Sequence, residues 1–331
     1  MALGAEFRED HLGVTGSAIE TRVALTNAGT HIKELFFPES EIEIAPASPW
    51  SPNVLVVQVD GKLEYIAKSF HPGRKDLLVL EKMHEWAANI TPSLPIAVPQ
   101  YIPTRSGEYF PVVGSQDQTR ICLMEKLPLE PFALHQMDDF RRMGVALGIL
   151  HGLAPAKIDS LPTFRFSHTN TEVESYWQYL DKDEETMFRR ILGVELDNDN
   201  QGIQLTHNDL HPANLLGTQG TPTFIDFDQM LVGPRANDFG QLLSAFWLDN
   251  TSESFDESMA HFIDGYRMVN SVEISEVAAI PYFSLRKIFI SFAWFKGLMH
   301  VRNDRQAADF YLLLKRRAEV LFQHAVDHKL I

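Results

Sequence analysis

Cysteine is almost missing from this chain: Cys122, inside the apolar run ICLM, is the only one. A lone cysteine excludes a disulfide framework and a cysteine-built zinc site within the chain, and it points to a reducing, cytoplasmic setting. The first residues, MALGAEFREDHLG, lack the basic start and apolar core expected of a secretory leader. A long uncharged hydrophobic run is lacking too. The most apolar late stretch, residues 278–299, is interrupted by Pro281, Arg286, Lys287 and Lys296, so it reads as a buried helix rather than a membrane span. Basic residues are few, 29 Lys and Arg against 44 Asp and Glu, for a net charge of −15. Gripping phosphate backbones needs clustered cations, so neither nucleic acid nor a membrane is an expected partner. What remains is ordinary globular composition, 45% hydrophobic and 22% charged over 331 residues, enough for two domains or one bilobed unit.

The first 125 or so residues are rich in β-formers and turns. VLVVQVDGKLEYIAKSF (54–70) predicts two strands joined at Asp60-Gly61. LLVLEKMHEWAANI (77–90) has helical spacing, and a strand pair is expected to bracket SGEY before a further strand in TRICLMEKL (119–127). Beyond residue 130 the pattern turns helical. DDFRRMGVALGILHGL (138–153) predicts an amphipathic helix with Asp138 as its N-cap. EVESYWQYL, EETMFRRIL, ANDFGQLLSAFWL, SMAHFIDGYRMV, the 278–299 run and ADFYLLLKRRAEVLFQHAVDH follow with the same periodicity. Only LTHND, NLLGT and TPTFIDF look like short strands and loops. The expectation is an α+β chain with a β-rich lobe over 1–127 and a mainly helical lobe over 128–331.

The polar residues concentrate in THNDLHPANLLGTQGTPTFIDFD (206–228). His207, Asp209 and Asn214 spell H-x-D-x-x-x-x-N, and Asp226 closes the apolar strand TPTFI twelve residues later. Phosphoryl transfer needs such a set. One carboxylate orients the attacking hydroxyl and takes its proton, while an amide and a second carboxylate hold the metal that bridges the nucleotide phosphates. A hairpin can bring the end of one strand beside a preceding loop and so gather all three. Asp and Asn are also common turn and cap residues, so an isolated H-x-D carries little. Two strand-bracketed motifs in this order and spacing carry much more.

These motifs resemble the aminoglycoside phosphotransferase and choline kinase family, relatives of the protein kinases. The resemblance rests on residues 206–243 and on LGILHGL (147–153), similar to that family's L-x-x-L-H helix end, and it extends over 54–130. It implies the bilobed kinase-like fold and ATP-dependent phosphorylation of a small-molecule hydroxyl, with Mg2+. It implies Asp209 as catalytic base and Asn214 and Asp226 as metal ligands. The literal D-F-G at Asp238-Phe239-Gly240 is then a decoy. Asp238 lies twenty-nine residues beyond Asp209, against seventeen for Asp226, and follows Gly233 in a G-x-x-x-x-D spacing. Its expected role is to cap a helix or brace the catalytic loop, and His207 is expected to be a hydrogen-bonded brace rather than a base.

In the first lobe Lys68, in YIAK, is similar to the strand lysine that pairs with nucleotide phosphates, with Glu81 as its helix partner and Glu85 as the rival. A solvated strand lysine, like Lys62, is the plain alternative. No G-x-G-x-x-G precedes Lys68; SPWSPN (48–53) stands in its place, with Ser48, Ser51 and Asn53 as phosphate donors, or else it is a surface turn. MEKLP (124–128) looks like the hinge, where backbone groups of Glu125 and Leu127 meet a purine edge. Asp249, Glu253, Asp256, Glu257 and Asp264 suit an amine-bearing substrate and equally a solvated helix face. Three rival readings remain: a protein Ser/Thr kinase of the same fold, a non-catalytic pseudokinase, and a metallohydrolase using His207, Asp209 and His211.

Overall fold

Asp60 and Gly61 turn the chain as the sequence predicts. Both have positive φ, 50° and 65°, and Lys62 N–H donates to the Val59 carbonyl across 3.1 Å, which closes a tight hairpin. The Asp60 carboxylate also accepts from Glu41 N–H (2.9 Å), anchoring the preceding strand. The computed structural model describes residues 28–47, 53–70, 81, 85, 99–113, 119–132, 136–153, 179–192, 202–218, 221–246, 254–302 and 305–327. These fall into two units, one ending at Leu129 and the other starting at Glu130.

The first unit is an antiparallel sheet: β1 Ile42–Pro46, β2 Val54–Val59, β3 Leu63–Phe70, β4 Tyr101–Ile102, β5 Val112–Val113 and β6 Thr119–Glu125. The order is β1-β2-β3-β6-β4, with β5 also on β6. The strands flanking SGEY are therefore present, but each pairs with β6 instead of with the other. Alternation along each strand divides the side chains between two faces. Leu55, Val57, Val59, Ala67, Ile121 and Leu123 pack on one, covered by Ile32 from a helical segment over 28–36. Phe70, Cys122 and Phe110 pack on the other. Of the expected helix at 77–90, Glu81 and Glu85 are helical, and the rest lies outside the described residues.

The second unit contains α1 Met137–Leu153, α2 Lys182–Leu192, β7 Ile203–Thr206, β8 Leu215–Thr218, β9 Thr221–Phe224, β10 Leu231–Pro234, α3 Arg235–Phe246, α4 Phe255–Arg267, α5 Ile274–Arg302 and α6 Arg305–Asp327. Strand β10, which pairs with β7, was not expected: its four residues LVGP are too few to show alternation. The N-cap assignment of Asp138 is corrected. Asp138 lies inside the first turn of α1 and pairs with Arg142 (3.0 Å), while it is Asp139 that reaches back to Gln136 N–H (3.1 Å). Helix α3 is buried along nearly its whole length, and residues 279–289 of α5 are buried without a break. That all-round burial accounts for the apolar run at 278–299, a core helix rather than an amphipathic one. No helix among the described residues is long and apolar enough to cross a membrane.

Helices α1 and α4 meet backbone to backbone. A Cβ on Gly265 would sit 1.9 Å from the Arg141 carbonyl oxygen, and one on Gly144 would sit 2.0 Å from that of Phe262. Main chain cannot swing aside as a side chain can. Gly265→Ala is expected to destabilise the protein by about 1–3 kcal/mol or more, the usual cost of overpacking. Urea unfolding would measure it, and an unchanged midpoint would mean that the helices separate freely.

A buried ionic cluster ties α2 to α5 and α6. Glu184 accepts from Lys296, from Lys315 (3.1 Å) and from the Tyr311 hydroxyl (2.9 Å). Burial acts to raise its pKa, but these bonds, with one from Asp181 N–H, outweigh it and hold the carboxyl at about 2. A depressed carboxyl stabilises the fold fully above its ordinary value of 4.5 and loses that contribution as pH falls toward 2. Glu184→Gln is therefore expected to be less stable than wild type at neutral pH and to lose less further stability on acidification through that window. Parallel slopes in thermal melts of the two proteins would contradict this.

Candidate active site

The loop after β7 is assembled by side chains of α3. Asp238, fully buried, accepts from His207 N–H (2.8 Å) through Oδ2 and from Asn208 N–H (2.8 Å) through Oδ1. Gln241 accepts from Leu210 N–H (2.8 Å) and donates to the Asn208 carbonyl (3.1 Å), while Asn237 donates to Asn208 Oδ1 (2.8 Å). Asn208 has φ of 63°, a left-handed conformation that Asn tolerates better than most residues. Such a backbone persists where its surroundings over-determine it, as these bonds do.

The bracing continues outward through buried groups. His151, at the end of α1, meets Asp238 Oδ2 through Nε2 (3.1 Å) and the Tyr266 hydroxyl through Nδ1 (3.0 Å). The carboxylate only accepts, so Nε2 carries the proton and Nδ1 accepts from Tyr266. Arg235 donates to the same hydroxyl (3.3 Å) and forks onto Glu276 at 2.8 and 2.6 Å. Asp238 thus braces the loop after β7, and it does so from inside a helix rather than as a cap.

His207 is a brace as well. Its Nε2 donates to the Ile225 carbonyl (2.9 Å), and its Nδ1 accepts from Asp209 N–H (3.3 Å). With both nitrogens engaged by backbone, His207 does not offer a lone pair to a metal shared with His211. Among the described residues no group of three or more His, Cys, Asp and Glu side chains could hold a metal ion.

Asp209 has no exposed surface. Its Oδ1 accepts from Lys287 Nζ on α5 (3.0 Å), and its Oδ2 lies 3.3 Å from Asn214 Nδ2 and 3.6 Å from His211 Nε2. Burial pushes this carboxyl up, but the Lys287 ammonium leads the opposing interactions and holds it at about 2. Burial in turn drives His211 well below its ordinary value, against the pull of Asp209, so the imidazole is neutral. Asn214 also donates to the Asp209 carbonyl (2.9 Å), and the Asn214 carbonyl accepts from Ile225 N–H (3.1 Å). The β8–β9 hairpin, Leu215 opposite Phe224, therefore carries Asn214 at its start and Asp226 just past its end, as the sequence suggested. Asp226 is half-buried and left-handed, φ 65° and ψ 64°.

A model of the phosphotransferase enzyme family matches residues 43–269, more than half of the chain. The chain belongs to that family. The solved structures agree on the fold of this phosphotransferase, α+β and protein-kinase-like. The microcompartment-associated aminopropanol kinase is 20% identical with a TM-score of 0.71, over 92% of this chain and 98% of its own. The amicoumacin kinase, in complex with AMP-PNP, Ca2+ and Ami, is 18% identical with a TM-score of 0.69, over 93% and 96%. A choline kinase from Streptococcus pneumoniae is 13% identical with a TM-score of 0.57, over 93% and 100%. No curated protein matches the phosphotransferase by sequence.

In the first unit of the phosphotransferase, Lys68 lies opposite Cys122 on the face that carries Phe70, its Nζ 5.9 Å from that ring. It is buried, unlike the exposed Lys62, so it is not a solvated strand lysine. Glu81 and Glu85 are exposed. The Asn53 carbonyl accepts from Ser69 N–H (2.9 Å), whereas Ser48 and Ser51 lie outside the described residues. Glu125 N–H is committed to the Gln100 carbonyl (3.0 Å). Of the acidic residues weighed for an amine-bearing substrate, Asp256 meets His324 (3.0 Å), Glu257 completes a capping box with Ser254, and Asp264 is exposed; Asp249 and Glu253 lie outside the described residues.

Sequence reasoning missed Lys287, Asn237 and Gln241. The signal for Lys287 was present as a cation inside an apolar helix, but it served only to argue against a membrane span.

Asp238→Ala would leave the buried His207 amide and the part-buried Asn208 amide without acceptors, at about 1–3 kcal/mol for the first and less for the second. Asp238→Asn, with one oxygen, is expected to keep one of them. The order wild type, Asn, Ala in urea stability and in amide-exchange protection at His207 and Asn208 checks this, and equal protection in all three would refute it.

Proposed function

We propose that this phosphotransferase moves the γ-phosphate of ATP to a hydroxyl of a small, amine-bearing molecule, with Asp209 as catalytic base. The observation that carries the reading is the join between Asp209 and Asn214. The amide nitrogen of Asn214 is spent on Asp209, which leaves its oxygen to ligate, and Asp226 follows at the far end of the same hairpin. One amide oxygen and one carboxylate are the hard donors that Mg2+ takes when phosphates fill most of its other positions, so the residues fit the ion. When bound, that ion would offset charge on the phosphates. Asp209 accepts the acceptor's hydroxyl hydrogen bond, aligns its oxygen, and takes the proton late, since the transition state is loose and asks more for position than for base strength. The Asp238 and Gln241 bonds keep the loop that carries it still.

In the first unit, Lys68 is assigned to the nucleotide phosphates. The segment holding Ser51 and Asn53 is assigned to the same phosphates, and the Glu125 carbonyl and Leu127 backbone to the purine edge. Structures of related proteins hold AMP-PNP with Ca2+, or ADP, which supports a nucleotide and a divalent ion here. Names of related kinases, aminopropanol and choline among their substrates, support the amine-bearing class.

ADP release from Mg-ATP over a panel of amino alcohols, choline analogues and amino sugars tests the activity. Asp209→Asn is expected to keep Mg-ATP affinity and lose transfer by about 10²-fold or more. Asp226→Asn is expected to weaken metal-dependent nucleotide binding as well. Near wild-type transfer by Asp209→Asn would sink the assignment, and metal binding lost in Asp238→Asn but kept in Asp226→Asn would reverse the roles of the two aspartates.

A further inference from the structure

The geometry points to Lys287 as the positioning residue of the catalytic base. This inference rests on the proposed role of Asp209. Lys287 occupies Asp209 Oδ1 at 3.0 Å while Asn214 Nδ2 approaches Oδ2 at 3.3 Å, so the carboxylate is held from both ends. Rotation of the carboxylate about its last bond would break one contact or the other.

The placement of Lys287 is itself fixed. Helix α5 lies against α3 at Gly240, where a Cβ would come within 2.6 Å of both Phe283 Cβ and Ser284 N, and Ser284 Oγ donates to the Gly240 carbonyl (3.0 Å). Ser284 and Phe283 stand three and four residues before Lys287, on the same face of the helix. The adjacent Arg286 donates to Asn237 (3.4 Å), which in turn holds Asn208. The helix that pins the loop amides is therefore the one against which the lysine is registered, and the base is referenced to α3 twice, once through its backbone neighbours and once through its side chain.

Stability does not call for this pair. A buried ion pair contributes little net stability compared with apolar residues of the same volume. Lys287 is also the more exposed of the two partners, its side chain 10% accessible against none for Asp209. An ammonium placed there limits how the base meets an incoming hydroxyl.

Lys287→Met, Lys287→Arg, Asp209→Asn and the double variant Asp209→Asn/Lys287→Met test the inference, with ADP formation from Mg-ATP, water as acceptor, as the common probe. Lys287→Met is expected to lower the maximal rate by about tenfold or more, the scale of a slightly misplaced group. Its Mg-ATP affinity is expected to stay unchanged, with partial rescue in Lys287→Arg. The double variant, which buries no unpaired charge, is expected to fold and to match Asp209→Asn alone, because the lysine acts through the carboxylate. A wild-type rate in Lys287→Met, or a double variant markedly slower than Asp209→Asn, overturns the inference. If Lys287→Met does not fold, the comparison of the double variant with Asp209→Asn decides. A wild-type protein that neither binds nor turns over Mg-ATP overturns the proposed function instead, and this inference with it.

Discussion

The carboxylate of Asp238 accepts from two consecutive loop amides and from the His151 imidazole, and the second unit is organised around it. Take the carboxylate away and His207 and Asn208 have no reason to expose their amides to a helix interior. From His151 the bonds run through Tyr266 and Arg235 to Glu276, so α1, α3, α4 and α5 each contribute a side chain. Every donor in that line faces an acceptor, which is what makes so much buried polarity tolerable. Burial pushes the Tyr266 hydroxyl far up its scale, and it stays protonated as the donor to His151 that the line requires.

Helix α5 supplies a member to three ion pairs among the described residues: Glu276 to Arg235, Lys287 to Asp209, and Lys296 to Glu184. Over residues 279–289 it is otherwise the interior of the unit. Charges in such a helix are costly unless paired. Each has a definite partner on a different element, so the helix cannot slide or rotate without leaving a charge uncovered. An apolar helix would pack as well but would have more than one acceptable register.

The Asp60-Gly61 turn, the helices that fall among the described residues and the H-x-D-x-x-x-x-N hairpin were legible because each is encoded locally, by a turn dipeptide, a 3.6-residue period or a fixed spacing; the helix expected at EVESYWQYL lies, but for its last two residues, outside the described residues. That Asp226 follows a strand end was legible for the same reason, since the strand can be read from TPTFI. Strand β10 was not legible, because LVGP acquires its character from β7 across the sheet. Lys287 was not, because nothing within α5 announces a partner 78 residues earlier in the chain. Asp138 was misplaced as the N-cap because the helix starts one residue earlier, at Met137, and Asp139 rather than Asp138 reaches back to Gln136 N–H. Long-range pairing is what a single sequence withholds.

Asp226 and Asn208 share a backbone conformation that fixes which replacements the site can accept. Both sit at left-handed φ, where Asp and Asn are eased by side chains short enough to bond locally. Exchange between carboxylate and amide at position 226 changes the charge at the hairpin's end without disturbing the main chain. Glutamate would keep the charge yet carry a longer side chain into a torsion it resists. Charge and reach are therefore decoupled at this position: the first can change while the main chain stays in place, and the second is held by the torsion.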